Sequence, residues 1–321
     1  MERTYKPEGG RIASAENKEY LATPQGLERA MNTGVILEGV VTLCDSRLCL
    51  HVDLPCAVGV IPPDEAVYCR QGETRKDIAL ITRVGKPVAF CVKSLESRGG
   101  VLTAVLSRRM AQERCIKEYL SRLCEGDIVP ARVTHMEPFG AFLDVGCGVS
   151  SLLSVDCISV SRISHPRDRL CVGQELSVVV KSIERDSGRI YVTLRELLGT
   201  WEENAAFFEA GQTVTGIIRS VESYGIFVEL APNLAGLAEV RESDIEQLRR
   251  HVGQNAAVYI KSIVPERMKI KLVLIDPSCG TPSIRPLRYY IDPAETPHLS
   301  HWMYSPAGAR KVVETWFEEC I

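Results

Sequence analysis

The sequence has no apolar run approaching about 18 residues, so no segment is expected to span a membrane. Its first twenty residues, MERTYKPEGGRIASAENKEY, contain no apolar stretch, so no secretory signal is expected. There is no Cys-x-x-Cys pair and no pair of histidines at ligand spacing, which argues against a structural zinc site. The twelve cysteines are scattered and, without an export signal, are expected as reduced thiols, several of them buried. Also missing are a G-x-x-x-x-G-K-[ST] phosphate loop, a G-x-S-x-G elbow and a set of carboxylates clustered for two metal ions. The chain is therefore not expected to be an enzyme, nor to need a cofactor or a metal. A positive excess is lacking too: 38 Lys and Arg stand against 41 Asp and Glu, a net charge of -3. Nonspecific polyanion binders usually carry a clear positive balance. Any contact with a polyanion must come from local arrangement.

What the sequence does contain is repetition, the first thing to seek in a chain of 321 residues. EPFGAFLDV (Glu137 to Val145) returns 85 residues later as ESYGIFVEL (Glu222 to Leu230). The match extends upstream from IVPARVTHM to TVTGIIRSV, and downstream from VGQELSVVVKSIERDSGRIYVTL to VGQNAAVYIKSIVPERMKIKLVL. A fainter copy lies in ILEGVVTLCDSRLCLHVDL and VGKPVAFCVKSLESRGGVLTAVL. The triplets Lys93-Ser94-Leu95, Lys181-Ser182-Ile183 and Lys261-Ser262-Ile263 mark one place in all three units. Apolar and polar residues alternate with a period of two in VPARVTH, LSVVVKSI and IYVTL, the pattern of half-buried strands. About five short strands in roughly 70 residues fit a small closed barrel, which leaves no exposed edge. SRRMAQERCIKEYLSRL (Ser107 to Leu123) and RELLGTWEENAAFFEAG (Arg195 to Gly211) read as short helical linkers, with Trp201 and Phe207 packed against a barrel end. One helix-like piece follows Pro24. In SPAGARKVVETWFEEC, Ser305 suits an N-cap and Pro306 the first helical position. A C-terminal helix is expected there, with Val312, Val313, Trp316 and Phe317 docked on the third barrel.

Phe139 and Phe142 are three apart, which in a regular strand puts them on opposite faces. A bulge at Gly140 would bring both rings to one face, and Tyr224, Gly225 and Phe227 repeat the device. Two rings on one barrel face make a stacking platform for single-stranded nucleic acid, because every base has a π-face. The other reading is that the rings fill the barrel. Basic residues able to meet phosphates beside the rings are Arg132, His135, Lys181 and Arg189 in the second unit, and Arg219, Lys261, Lys269 and Lys271 in the third.

Taken together, EGDIVPARVTHMEPFGAFLDV, ISHPRDRLCVGQELSVVVKSIERDSGRIYVTL, GQTVTGIIRSVESYGIFVEL and NLAGLAEV resemble the S1 RNA-binding domain family, a branch of the OB-fold. The resemblance covers residues 125–275. It implies that Phe139 and Phe142 take the family's two strand-two aromatics and Arg189 its last-strand arginine. Tyr224, Phe227 and Lys269 hold those positions in the third unit. The family's usual third-strand histidine is replaced by Ser154 and by Glu239, whose charge would repel phosphate. The first unit keeps the strands but lacks the aromatic pair, and reads as a structural or protein-contact barrel with His51 as a strand residue.

The expected fold is mainly β, with three tandem five-stranded OB-fold barrels of S1 type joined by short helical linkers. The expected divisions are an N-terminal extension (1–33), a degenerate barrel (34–106), a helical linker (107–124), an S1 domain (125–196), a linker (197–209), a second S1 domain (210–275) and a C-terminal extension with a helix (276–321). The order is similar to that of multi-domain proteins like bacterial ribosomal protein S1. This implies a non-catalytic, cytoplasmic protein holding single-stranded messenger or ribosomal RNA, with the small ribosomal subunit as a partner. The alternative is a protein-interaction scaffold docked on the ribosome or another RNA machine.

Overall fold

Alternation of inward and outward residues settles the architecture. The structure, a computed structural model, describes residues 5–318 apart from 70–71, 73, 99, 185–186 and 281–285. Fifteen of the described strands close into three barrels. The first is β1 (Leu37–Cys44), β2 (Leu50–Leu54), β3 (Ala57–Ile61), β4 (Pro87–Arg98) and β5 (Val101–Ser107). The second is β6 (Ile128–Glu137), β7 (Gly140–Asp144), β8 (Ser150–Ser154), β9 (Glu175–Glu184) and β10 (Arg189–Thr193). The third is β11 (Thr213–Glu222), β12 (Gly225–Ala231), β13 (Leu234–Ala238), β14 (Asn255–Val264) and β15 (Lys269–Asp276). In each, the first three strands form an antiparallel meander, and the third pairs in parallel with the fifth. The first and fifth strands flank the fourth, which closes the second barrel through β6–β9 and β9–β10 pairing.

Each barrel fills itself with the inward half of its strands. In the second, Ala131, Val133, Ala141, Leu143, Leu153, Val178, Val180, Ile190 and Val192 are buried in one cluster. In the third, Ile218, Ile226, Val228, Leu234, Ile260, Ile270 and Leu272 do the same. Fully burying one Val, Leu or Ile contributes about 1.5–3 kcal/mol, so these stripes carry the fold. No described helix is long and apolar enough to cross a membrane.

The N-terminal segment holds two helices, α1 (Ala15–Ala22) and α2 (Pro24–Thr33), where the sequence pointed to the second alone. Ser14 caps α1 by accepting the Asn17 N–H, a start signal that the weak apolar pattern of the helix had obscured. After the short α3 (Ile78–Ile81), α4 (Arg108–Glu118) forms the first linker, capped by Ser107. The second linker contains α5 (Trp201–Ala205), closed by a capping box between Thr200 and Glu203. Trp201 is buried against the third barrel as expected. Phe207 is not: its ring is exposed, with the Arg288 guanidinium 4.3 Å from its centroid.

The expected C-terminal helix does not form among the described residues. β16 (His301–Met303) and β17 (Glu314–Trp316) pair instead as an antiparallel ribbon. Gly308 takes a left-handed backbone at φ 77° inside what would be the first helical turns, and the β-branched and aromatic run Val312, Val313, Thr315, Trp316 favours extended chain. Ser305 closes the loop rather than capping a helix: its hydroxyl donates to the Lys311 carbonyl and accepts the Val313 N–H. The expected apolar face is dispersed. Val313 packs with the third barrel, Phe317 with the second, and Val312 and Trp316 are exposed. The cysteines need a correction as well. Ten described ones are free thiols, but Cys124 is disulfide-bonded. The Cys124 N–H donates to Asp127, which bridges to His298 of the returning C-terminal segment.

Two polar joints fix the barrels to one another. At the first, the Glu8 carboxylate accepts from Arg108 Nε (2.6 Å) and Nη2 (3.0 Å) and from the Ala89 N–H, while the Glu8 N–H donates to Asp144 (2.7 Å). Linker, first barrel and second barrel thus meet on one residue. At the second, Arg169 donates to both Glu229 oxygens (2.6 and 2.8 Å), and Arg219 Nε donates to the same carboxylate (2.7 Å). Asn233 of the third barrel accepts the Val160 N–H and donates to the Arg195 and Gly199 carbonyls.

Candidate nucleic-acid interface

The β6–β7 hairpin turns on Pro138 and Phe139, between the paired Glu137 and Gly140. Phe139 therefore sits at the turn rather than on a strand face. Its ring lies edge-on to Phe142, centroids 6.0 Å apart and planes at 90°. The β11–β12 hairpin repeats this with Tyr224 and Phe227 at 6.2 Å and 89°. Both pairs share a face, by a route other than a bulge at glycine. The register shift lies on the preceding strand, between Val133 and His135 and between Ile218 and Ser220. Glycine is required for a different reason: a Cβ on Gly140 would stand 2.5 Å from the Leu153 carbonyl oxygen, and one on Gly225 2.5 Å from that of Ala238.

The rings are not core. Phe139 is 57% exposed and Tyr224 60% exposed. Phe142 and Phe227 are half-buried, each covered on one side by its edge-on partner. His135 stacks on Phe142 at 6.2 Å, and its Nε2 lies 2.6 Å from the accepting Glu137 carboxylate.

Strand register extends each pair into a row around the barrel. In the second barrel His135, Phe142, Leu152, Tyr191 and Ser182 are successive cross-strand partners. In the third the row is Ser220, Phe227, Leu237, Lys271 and Ser262. Leu152, Tyr191 and Leu237 escaped the sequence reading. The signal that leads to them is the shared Lys-Ser-Leu/Ile triplet, whose serine ends every row.

The expected basic residues divide. Arg189 and Lys269 open the last strands, two residues before Tyr191 and Lys271, and so share their outward face. They and Lys261 are exposed. The Lys181 ammonium reaches the Cys157 sulfur at 3.2 Å. Two residues are not brought to the row. Arg132 donates to the Glu8 carbonyl (2.9 Å) and the Gly173 carbonyl (3.1 Å). Arg219 is the bulged residue of β11, and its side chain turns to the buried carboxylate of Glu229 and to Asp168. Burial alone would push Glu229 up, but the two guanidiniums hold its carboxyl below the usual range. Ser154 pairs with Gly140, and Glu239 stands exposed one residue beyond the Ile226–Ala238 pair, the same place in the third barrel.

The first barrel has the row without the rings: Leu43, His51, Val60, Val105 and Ser94. His51 is a strand residue of β2, as expected, and occupies the place of Phe142 and Phe227. Its Nε2 lies 3.1 Å from Asp45. No group of three or more potential metal ligands occurs among the described residues.

Residues 122–195, the whole strand set of the second barrel, match the family model for the S1 RNA binding domain. The second barrel is an S1 RNA-binding domain. Beyond this S1 barrel, the chain is 26% identical over 285 residues to a small ribosomal subunit protein bS1 from Rhizobium meliloti, covering 85% of this chain and 48% of that protein. It is 31% identical over 198 residues to the bS1 of Staphylococcus haemolyticus, covering 59% of this chain and 50% of that protein. The chain spans about half the length of the curated relatives it matches. A chain in the crystal structure of an a/eIF2alpha-aDim2p-rRNA complex from Pyrococcus horikoshii is 25% identical, covering 26% of this chain and 50% of that one, with a TM-score of 0.23.

Proposed function

We propose that this chain is a non-catalytic, cytoplasmic binder of single-stranded RNA that works in translation or RNA metabolism, with messenger or ribosomal RNA and the small ribosomal subunit as its partners. Its working units are the S1 barrel and the third barrel, within the divisions 125–196 and 210–275; 34–106 is a separate barrel without a base platform. The observation that carries this reading is the duplicated edge-on ring pair, exposed at the same hairpin in both barrels. Phe139, Phe142, Tyr224 and Phe227 stack bases. His135, Tyr191, Arg189, Lys181, Lys261, Lys269 and Lys271 flank them. Two modest sites on one chain gain avidity of roughly 100-fold or more when geometry lets both engage, and the Glu229 joint favours this by fixing their relative orientation.

The test is fluorescence anisotropy with a labelled, unstructured RNA of roughly 20 nucleotides. Each stacked base contributes about 1–3 kcal/mol. Replacing Phe139, Phe142, Tyr224 and Phe227 together by Ala should therefore weaken binding more than 100-fold in a variant whose circular dichroism is unchanged. Equal binding by both chains would sink the reading. A scaffold role finds its support in the first barrel, whose row is aliphatic at Leu43, Val60 and Val105. It predicts a protein partner retained after nuclease treatment and indifferent to the four ring substitutions.

A further inference from the structure

The chain has three tryptophans, and two are buried: Trp201 is 2% exposed and Trp302 5%. Trp316 is 70% exposed, the highest value among the large apolar side chains that the described residues leave at the surface. This is not slack packing at a chain end. The next residue, Phe317, is buried, and Thr315 is tied down, its hydroxyl donating to Glu196 (2.9 Å) and accepting from Arg195 (3.2 Å). Strand alternation then points Trp316 outward.

The indole is also held in place. It stacks on the imidazole of its cross-strand partner His301, centroids 3.8 Å apart and planes at 24°. His301 Nε2 is fixed in turn at 2.8 Å from Glu314. One π-face is covered and the ring is immobilised, which leaves the other face for a ligand. The ribbon that carries it stands at the joint between the two ring-bearing barrels: Glu196 follows the S1 barrel's last strand, and the Tyr304 hydroxyl donates to the Asn233 carbonyl of the third barrel. Arg310 and Lys311, in the ribbon's loop, are exposed.

We propose that Trp316, backed by His301, is a third stacking site for an unpaired base of single-stranded RNA. The proposal rests on the RNA-binding reading and adds to it a contact outside the barrels. A docked protein would require a contiguous apolar patch. The outward pairs of the ribbon are instead His301 with Trp316 and Met303 with Glu314, so the held indole has a single half-exposed apolar neighbour, Met303, beside a histidine and a glutamate. That is the form of a base platform, which needs one free π-face.

Because Trp201 and Trp302 are buried, the iodide-quenchable part of the tryptophan fluorescence reports on Trp316. The intact chain is titrated with an unlabelled oligouridylate of roughly 20 nucleotides, following emission and iodide quenching, while anisotropy with a labelled copy reports total binding. The expected result is saturable quenching of the exposed indole and its protection from iodide. Trp316→Leu should remove that signal and weaken binding about fivefold or more, and Trp316→Phe should restore most of the affinity. RNA binding with the indole still open to iodide, or Trp316→Leu binding like the parent, would overturn the site and leave the barrel platforms standing. No RNA binding by any variant would overturn both. Protection from iodide in the free chain that rises with protein concentration would assign Trp316 to self-association and also overturn the proposal. Should Trp316→Leu fail to fold, quenching and iodide protection in the parent decide the matter alone.

Discussion

Placed in register, the first barrel and the S1 barrel carry Leu43 against His135, His51 against Phe142, Val60 against Leu152, Val105 against Tyr191, and Ser94 against Ser182. Only the serine is shared. The bulge that precedes the row is shared as well: Thr42 donates to the His51 carbonyl (3.3 Å), as Thr134 does to that of Phe142 (3.0 Å). The inward residues of the same strands are apolar in both barrels. Each strand thus writes two messages on alternate residues. The inward one is kept and specifies the barrel, while the outward one is free to change from aromatic rings to aliphatic surface.

The joints on either side of the S1 barrel differ in a comparable way. The second places two guanidiniums, Arg169 and Arg219, on one buried carboxylate, Glu229. The first places two carboxyls, Glu8 and Asp144, around the buried Arg108, with Arg83 alongside. Removing one partner from a buried pair costs about 3–5 kcal/mol. Glu229→Ala should therefore give the largest loss of stability, read as a lower urea midpoint, and should reduce the avidity gained from the two platforms.

The same contrast predicts opposite pH responses. Burial, then the neighbouring Glu8 carboxylate, pushes the Asp144 carboxyl up to about 7. The folded state therefore holds a proton that the unfolded state releases near the ordinary value of about 4. Its contribution is full below about pH 4 and is lost as pH rises through 7. Glu229 is lowered, so its contribution is present above its ordinary range and is lost as pH falls below it. Urea unfolding at a series of pH values should show a decline from about pH 4 to 7 that Asp144→Asn flattens, and an acid-side decline that Asp144→Asn leaves in place. A parent chain whose stability rises across that first window would refute the assignment.

A smaller effect is expected from writing the first barrel's row onto the S1 barrel. Phe142→His with Leu152→Val and Tyr191→Val should weaken RNA binding about tenfold or more, since a stacked base contributes about 1–3 kcal/mol. Stability should change by only about 0.5 kcal/mol per site, because these residues face out of the core. A variant that melts early would mean the outward row also supports the barrel.

Much of this was legible in the sequence because periodicity and repetition are local signals. Three barrels, the helical first linker and the ring pairs follow from strand alternation and from one motif written twice. What was not legible depends on contacts between distant residues. Arg219 reads as a phosphate contact until Glu229 and Arg169 are seen to claim it, and Arg132 until the Glu8 and Gly173 carbonyls are. Tyr191 and Leu152 join the rings only once β8 is known to pair in parallel with β10. The C-terminal segment misled because Ser305-Pro306 is a sound helix start by itself, whereas Gly308 and the partner strand at His301 decide otherwise.

The finest distinction lies between the two ring-bearing rows, where Tyr191 of the S1 barrel stands in the place of Lys271 in the third. A tyrosine offers a π-face and a hydroxyl, here donating to Glu184 (2.9 Å), whereas a lysine offers a charge that releases a counterion when it meets phosphate. Each such contact on a single strand steepens the slope of log affinity against log salt by about 0.7. Lys271→Tyr should therefore make the slope shallower by about that amount, Tyr191→Lys should steepen it equally, and the exchange of both should return it to the parent value. The measurement is RNA affinity between about 50 and 200 mM salt. If Lys271→Tyr leaves the slope unchanged, the lysine does not face the RNA backbone, and the third barrel holds its strand by stacking on Tyr224 and Phe227 with its charge supplied from Lys269 or Lys261 instead.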